Sequence, residues 1–165
     1  MTILTMYSAC QKDENQNPSN TEILYTMPEE SEPHEGTWLQ WPHHYQYGIA
    51  YRNSLDPTWI VMTQALVTSE KVHIIAYNET EKNRIIELLS SANVPLINVD
   101  IKIFKTDDVW VRDNGPIFVK NKNGDLVIQD WGFNGWGQKT DEISGFPIEF
   151  RNCNAIPSKI ANDQG

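Results

Sequence analysis

The residues best suited to chemistry lie in one short segment, 107–116, which reads Asp-Asp-Val-Trp-Val-Arg-Asp-Asn-Gly-Pro. It places carboxylates beside an indole, in what the apolar neighbours predict to be a strand. A guanidinium matches such a pair, because its forked N–H donors bind a carboxylate bidentately and its flat positive face stacks on an indole. The segment therefore predicts a site that binds a planar cation.

Tryptophan, glycine and carboxylate also concentrate in two other segments, 32–42 and 130–137. Five of the six tryptophans of the chain lie in these three segments. They are Trp38, Trp41, Trp110, Trp131 and Trp136. Tryptophan that clusters with glycine outside helical stripes favours the wall of a binding site over core packing. We therefore expect these side chains to line a site.

The elements that must position these segments alternate along the chain. A short strand is predicted at 36–41, and a loop rich in histidine and tyrosine follows it. Asp56 as N-cap, with Pro57 in the first turn, predicts a helix that ends near Ser69. The β-branched run at 72–77 predicts the next strand.

A second helix is predicted to begin after Asn78, with Glu81 three residues on in the manner of a capping box. Alternating apolar residues at 97–103 predict a half-buried strand. The runs on either side of Asn123 and Gly124 predict a hairpin with a tight turn. The sum is a mixed α/β fold in which helices cover a sheet.

The last residues predict a helix with Asn154 as its cap and Ile156 and Ile160 on its apolar side. The chain then stops at Gly165, where a helix would lead into a strand. We expect a truncated domain, with a hydrophobic stripe that has no complete surface to bury it.

The formal charge is −9 with an isoelectric point near 4.8. This charge disfavours nucleic acid and anionic membrane surfaces as partners and favours a cationic ligand. Cys10 and Cys153 stand in dissimilar surroundings and fit neither a disulfide framework nor a zinc site. The four histidines lack metal-ligand spacing with a carboxylate, so we expect no metal.

Residues 1–26 are predicted to lie outside the fold as a polar, disordered extension. Small residues before Cys10 resemble the end of a bacterial lipoprotein signal, although the apolar stretch is short and no basic residue precedes it. Two interpretations stay open. In one, Cys10 carries a lipid anchor and the protein belongs to the cell envelope; in the other, the extension is plain and the protein is cytoplasmic.

Three segments together resemble the agmatine deiminases and the related bacterial peptidyl-arginine deiminases. They are 27–42, 107–116 and 130–137, and their order and spacing are similar to those of that family. The resemblance covers about residues 27–165 and implies the N-terminal part of a deiminase catalytic domain. The implied fold is a partial pentein, a propeller of ββαβ-type modules around a pseudo-fivefold axis.

The implied reaction is hydrolysis of a guanidinium to a ureido group and ammonia, as in putrescine biosynthesis from agmatine. A cysteine thiolate attacks the guanidinium carbon, a histidine protonates the leaving ammonia, and water resolves the covalent intermediate. The resemblance implies a small cationic guanidine as substrate and no cofactor. Agmatine and peptidyl arginine both remain open as the substrate.

By the same resemblance, Asp113 matches the aspartate that binds the guanidinium, and Trp110 matches the aromatic residue beside it. Trp38 and Trp136 are expected to add to the substrate-binding wall. Arg112 is expected to be structural, because a cation facing a cationic substrate would weaken its binding. Asp107 and Asp108, the carboxylates that open the segment, are either supports of the pocket or solvated turn residues.

The segments of the family that carry the nucleophilic cysteine and the catalytic histidine find no match here. Neither Cys10 nor Cys153 stands in the glycine-rich turn of that nucleophile. We therefore expect the chain alone to be inactive and to need a C-terminal half, which a separate chain could supply. Two rival functions remain: a non-catalytic tryptophan-rich binding module, and another guanidine-modifying enzyme of the pentein fold.

Overall fold

A computed structural model describes residues 25–141 and 145–164. These residues form six strands and six helices, and the strands form two three-stranded sheets. The prediction of a mixed α/β fold is therefore confirmed. The strands are β1 (Tyr25–Thr26), β2 (Gly36–Gln40), β3 (Lys71–Ala76), β4 (Val99–Ile103), β5 (Ile117–Asn121) and β6 (Leu126–Gln129). The helices are α1 (His44–Leu66), α2 (Glu79–Ser91), α3 (Val111–Asn114), α4 (Gly135–Gln138), α5 (Arg151–Asn154) and α6 (Ile156–Gln164).

The first sheet is parallel, with β3 between β2 and β4. Helix α1 connects β2 to β3 and α2 connects β3 to β4, as parallel strands require a crossover. The side chains of β3 point alternately into two apolar clusters. Ile74 packs among residues that include Ile85 and Leu89, and Ile75 packs against α6. Gly36 allows β2 to approach β3, because a Cβ there would lie 2.3 Å from the backbone oxygen of Lys71.

Helix α1 begins earlier than its sequence predicts. His43 is the N-cap, and its Nδ1 accepts from the backbone N–H of Gln46 at 3.3 Å. The predicted start at Asp56 is wrong, because Asp56 and Pro57 lie inside α1 after a kink at Gly48 (φ 68°). The Asp56 carboxylate is buried in ionic contacts and does not cap the helix.

Helix α2 begins where its cap predicts, since the Asn78 side chain accepts from the Glu81 backbone N–H at 2.9 Å. The Glu81 carboxylate is buried against Arg52 and Arg84. Strand β4 begins at Val99, and Ile97, which the pattern places in the strand, is 91% exposed.

The second sheet is antiparallel in the order β1-β5-β6. Strands β5 and β6 form the predicted hairpin, and Gly124 has the positive φ (86°) that its turn demands. Tyr25 and Thr26, which the sequence assigns to the extension, pair with Asn121 and Lys120 as β1. The predicted extension otherwise lies outside the described residues, as does Cys10.

The end of the chain differs from expectation in two respects. Asn154 ends α5, and the helix that follows begins at Ile156. The apolar side of α6 is covered, since Ile156 and Ile160 are fully buried in one cluster with Ile75. The expectation of an uncovered stripe is therefore wrong, because the face of the first sheet opposite α1 and α2 packs against it. No described helix combines the length and apolarity needed to cross a bilayer.

Candidate functional site

The 107–116 segment is a loop and a helical turn, and the expectation of a strand is wrong. It follows β4 at the carboxyl edge of the parallel sheet, an edge where α/β proteins commonly bind ligands. The loop is stabilised by its own polar groups: the Trp110 backbone N–H donates to Asp108 Oδ1 at 2.8 Å, and Asn114 Nδ2 donates to the Trp110 carbonyl at 2.8 Å. A Cβ on Gly115 would lie 2.5 Å from the Val111 carbonyl oxygen. Only glycine fits this turn.

Asp113 is exposed, and the structure brings it together with Trp136 from a distant segment. The Trp136 indole N–H donates to Asp113 Oδ1 over 3.2 Å. Arg112 does not neutralise Asp113, because its guanidinium pairs with Glu30 at 3.2 Å. Both partners of this ion pair are exposed, and Arg112 also lines the cleft beside Asp113, so its expected structural role stays a prediction.

Trp136 lies in a strained backbone turn. All four residues of α4 have left-handed φ angles: 63°, 56°, 89° and 57° from Gly135 to Gln138. Side chains with a Cβ rarely adopt this conformation, and such strain is concentrated at functional sites. Asn134 supports the turn, since its side chain accepts from the Gly137 N–H at 2.8 Å.

A cleft of about 1260 Å³ lies beside this loop, and Asp113, Trp110 and Trp38 line it. Trp110 is 56% exposed, and Trp38 stacks on His73 with ring centroids 4.5 Å apart. Trp136 is not among the lining residues and reaches the cleft through Asp113. Sequence patterns did not indicate the other aromatic residues that line the cleft, which are Tyr47, Tyr51, Trp59 and Phe118.

Asp107 and Asp108 are both buried, so they are not solvated turn residues. Asp107 accepts hydrogen bonds from α5, and the Asp108 carbonyl accepts from Gln40 Nε2 at 2.8 Å. Burial raises the pKa of the Asp108 carboxyl, and the charges of Asp113 and Asp107 raise it further. These carboxylates support the loop that carries Asp113.

Two tryptophans depart from the expected wall. Trp41 is only 1% exposed and packs in the core, where its indole N–H donates to Asp56 at 2.8 Å. It points to the opposite face of β2 from Trp38, as alternation along a strand requires. Trp131 is exposed, donates to Gln129 and does not line the cleft.

A second cavity of about 550 Å³ shares Trp38 with the cleft. Glutamates from the loop before β2 line it, namely Glu29, Glu30, Glu32 and Glu35. Three of them form ion pairs, with Arg112, Lys120 and Lys71. Cations thus balance three of these four glutamates, so the glutamates leave only a small negative charge near Trp38.

Cys153 does not have the environment of a nucleophile. It is fully buried, and this burial raises the pKa of its thiol to about 12. A thiol attacks as its thiolate, which this environment suppresses at neutral pH. Among residues 25–141 and 145–164, no group of histidine, cysteine and acidic side chains is placed to bind a metal ion.

Residues 26–164 match the family model of the Porphyromonas-type peptidyl-arginine deiminases. The chain belongs to this deiminase family. The match contains all three motif segments and both described sheets, apart from Tyr25 at the start of β1.

Curated relatives of this deiminase chain include agmatine deiminases. That of Pseudomonas aeruginosa (strain LESB58) is 34% identical over 126 residues, which cover 73% of this chain and 32% of the relative. That of Stutzerimonas stutzeri (strain A1501) is 32% identical over 142 residues, which cover 78% of this chain and 36% of the relative. The chain spans about a third of the length of these relatives.

The solved agmatine deiminase of Enterococcus faecalis shares the fold of this deiminase chain. Its TM-score is 0.69 at 22% identity, over 85% of this chain and 36% of that one.

Proposed function

We propose that this deiminase-family chain contributes the guanidinium-binding part of an agmatine-deiminase-type hydrolase. The observation that supports it best is the pairing of Asp113 with Trp136 beside the cleft that Trp110 and Trp38 line. Residues 27–165 would form part of the catalytic domain of a pentein propeller. The α/β architecture and the likeness to a deiminase structure are consistent with that assignment.

The geometry fits one face of a guanidinium site. Trp136 donates one N–H to Asp113 Oδ1, and a carboxylate has about four acceptor positions. The acceptor positions that remain suit the forked donors of a guanidinium, and the exposed Trp110 indole suits its flat face. Asp113 then orients the substrate and balances its charge, with Trp110, Trp38 and Trp136 around it.

The hydrolysis itself needs groups that this chain does not present among its described residues. A thiolate must attack the guanidinium carbon and an acid must protonate the departing ammonia. We infer that a region corresponding to the rest of the relatives' length supplies both, in the same chain or in a separate one. Within the pathway from agmatine to putrescine the product would be the ureido compound; peptidyl arginine is the second substrate candidate.

The N-terminal residues bear on where this chemistry takes place. We propose that residues 1–26 act mainly as a tether. A lipid on Cys10 would place the enzyme at the cell envelope, and an unmodified Cys10 would leave it in the cytoplasm. Mass spectrometry of the protein from its native cell distinguishes the two, since a lipidated cysteine adds acyl mass.

The proposed site is tested by calorimetric titration of the purified chain with agmatine. We expect Asp113→Asn to weaken binding by about 10- to 100-fold, because a charge-assisted hydrogen bond is lost. Glu87→Gln is the matched control, since it removes one charge from an exposed position of α2 outside the cleft. Equal affinities for wild type and Asp113→Asn would contradict the proposal.

The same titration separates the rival functions. The positions of Trp41 in the core and Trp131 outside the cleft argue against a single tryptophan platform for sugars. Another guanidine-modifying enzyme would prefer arginine or a guanidino acid to agmatine. Comparison of these ligands with the same Asp113→Asn variant identifies the preferred substrate class.

A further inference from the structure

Helix α5 (Arg151–Asn154) is a single turn between the two loops that meet at the proposed guanidinium site. One loop is 107–116, which carries Asp113, and the other is 130–138, which carries Trp136. Helix α5 lies in neither motif segment. Its two asparagines, Asn152 and Asn154, bind different loops.

Asn152 binds the first loop at its beginning. The Asp107 carboxylate accepts from the Asn152 backbone N–H at 2.7 Å, the Asn152 side-chain amide at 2.5 Å and the Cys153 backbone N–H at 3.2 Å. These three N–H donors fix the position of Asp107 at the start of the loop after β4. Moving Asp107 away from them would leave a buried charge unpaired, which costs free energy.

Asn154 binds the second loop. Its Oδ1 accepts from the Phe133 backbone N–H at 2.7 Å. The Phe133 ring then meets Trp136 edge to face, with centroids 5.1 Å apart, and contacts Phe150, the residue that precedes α5, in the same manner. The orientation of Trp136 therefore depends on the position of Phe133.

Cys153 anchors α5 between these contacts. Its side chain is fully buried, and Sγ accepts from the Asp107 backbone N–H at 3.2 Å. The contacts form a closed circuit, which runs from α5 through Asp107 to Asp113, across the hydrogen bond to Trp136, and back through Phe133 to α5.

We propose that Asn152 and Asn154 are positioning residues of the guanidinium site, which keep Asp113 and Trp136 within hydrogen-bonding distance of each other. This inference rests on the proposed function and extends it to residues that touch no substrate. Pre-organisation of this kind matters because small displacements of a binding group cost affinity.

The test compares Asn154→Leu, which removes the acceptor of the Phe133 N–H, with Asn154→Asp, which retains one. Asn162→Leu, at an exposed position of α6, is the matched control. Hydrogen exchange of the Phe133 amide and the Trp136 indole is followed by NMR, and agmatine affinity by calorimetry. In Asn154→Leu we expect both protons to exchange about tenfold faster and agmatine to bind about 5- to 10-fold more weakly, as loss of a hydrogen bond predicts. Asn154→Asp should restore both.

The two measurements test the two proposals separately. A wild-type chain that binds no agmatine contradicts the proposed function, while indole exchange still decides whether α5 positions Trp136. Unchanged indole exchange in Asn154→Leu, or no rescue by Asn154→Asp, overturns the positioning role. Should Asn154→Leu fail to fold, Asn152→Ala is the second variant, because it removes only one of the three donors to Asp107. Unchanged exchange of the Trp136 indole in Asn152→Ala would also overturn the positioning role.

Discussion

Two side chains that could take part in a reaction, Asp113 and Cys153, have opposite environments. Asp113 is exposed beside a cleft and hydrogen bonded by an indole. Cys153 is buried, and its sulfur serves as a hydrogen-bond acceptor inside the protein. Residue type alone would favour the cysteine as the reactive group, and burial reverses that choice, because desolvation disfavours the thiolate.

This contrast predicts that Cys153 resists alkylation in the folded chain. In a Cys10→Ser background at pH 8, iodoacetamide should label Cys153 only after urea is added, as followed by mass spectrometry. The raised pKa of the Cys153 thiol also makes the free energy of unfolding depend on pH. The contribution of this thiol is complete below its ordinary pKa of 9.0 and is lost as pH rises towards about 12. Rapid labelling without urea would show that the thiol is accessible.

At the scale of elements, α1 and α2 are joined to each other by a buried ionic network. The Glu81 carboxylate accepts from His44 at 2.7 Å, Arg52 at 2.8 Å and Arg84 at 2.7 Å. Arg84 also pairs with Asp56 at 2.6 Å. The network explains why Asp56 lies inside α1, since its carboxylate offsets the charge of Arg84 and cannot also cap a helix.

This network predicts acid sensitivity that depends on Glu81. Burial acts to raise the pKa of Glu81. Hydrogen bonds from His44 and Arg84, together with the positive charges of Arg84 and Arg52, outweigh burial and lower the pKa. The stabilisation is therefore present above the ordinary value of 4.5 and is lost as pH falls through the lower folded value.

Glu81→Gln tests this at pH 7 and pH 3.5 by urea unfolding. It should destabilise the chain by about 3 kcal/mol at pH 7, because two arginines lose a buried partner. Its unfolding free energy should also change less with pH than that of the wild type. Glu87→Gln, on the exposed side of α2, should retain the wild-type pH dependence; a Glu81→Gln variant that also retains it would contradict the role of the network.

At the scale of the whole molecule, two sheets enclose an apolar cluster while the polar loops gather at one edge. Helix α6 lies against Ile75 of β3 and has Phe118 and Ile128 of the second sheet as neighbours. This arrangement places the loops of β4, β6 and α5 together. It builds one face of the proposed site and leaves Cys153 in the interior.

The chain alone should therefore form no ureido product from agmatine. The described residues present no exposed cysteine thiol beside the Asp113 cleft, so the covalent step has no nucleophile there. A colorimetric ureido assay with a full-length agmatine deiminase as positive control measures this. Product above the enzyme-free blank, abolished by Asp113→Asn, would show that the chain is catalytic without a further part.

The sequence by itself determined several elements and identified the most informative segment, although it predicted that segment as a strand. Period-two and helical patterns predicted β3, α2 and the β5–β6 hairpin, because each depends on local caps, turns and apolar spacing. Asp113 and Trp110 were identified from their segment and its family resemblance. Both line the same cleft; their role with substrate remains a prediction.

Only the tertiary structure decided which side chains share a site. Side-chain alternation along β2 and into the residue after it separates Trp38, at the cleft, from Trp41 in the core. Trp136 meets Asp113 across 23 residues of sequence, through a strained turn, and Asn154 of α5 accepts from the Phe133 N–H just before that turn. Such contacts join distant segments and leave no periodic signal, since they depend on how the sheets and α6 pack.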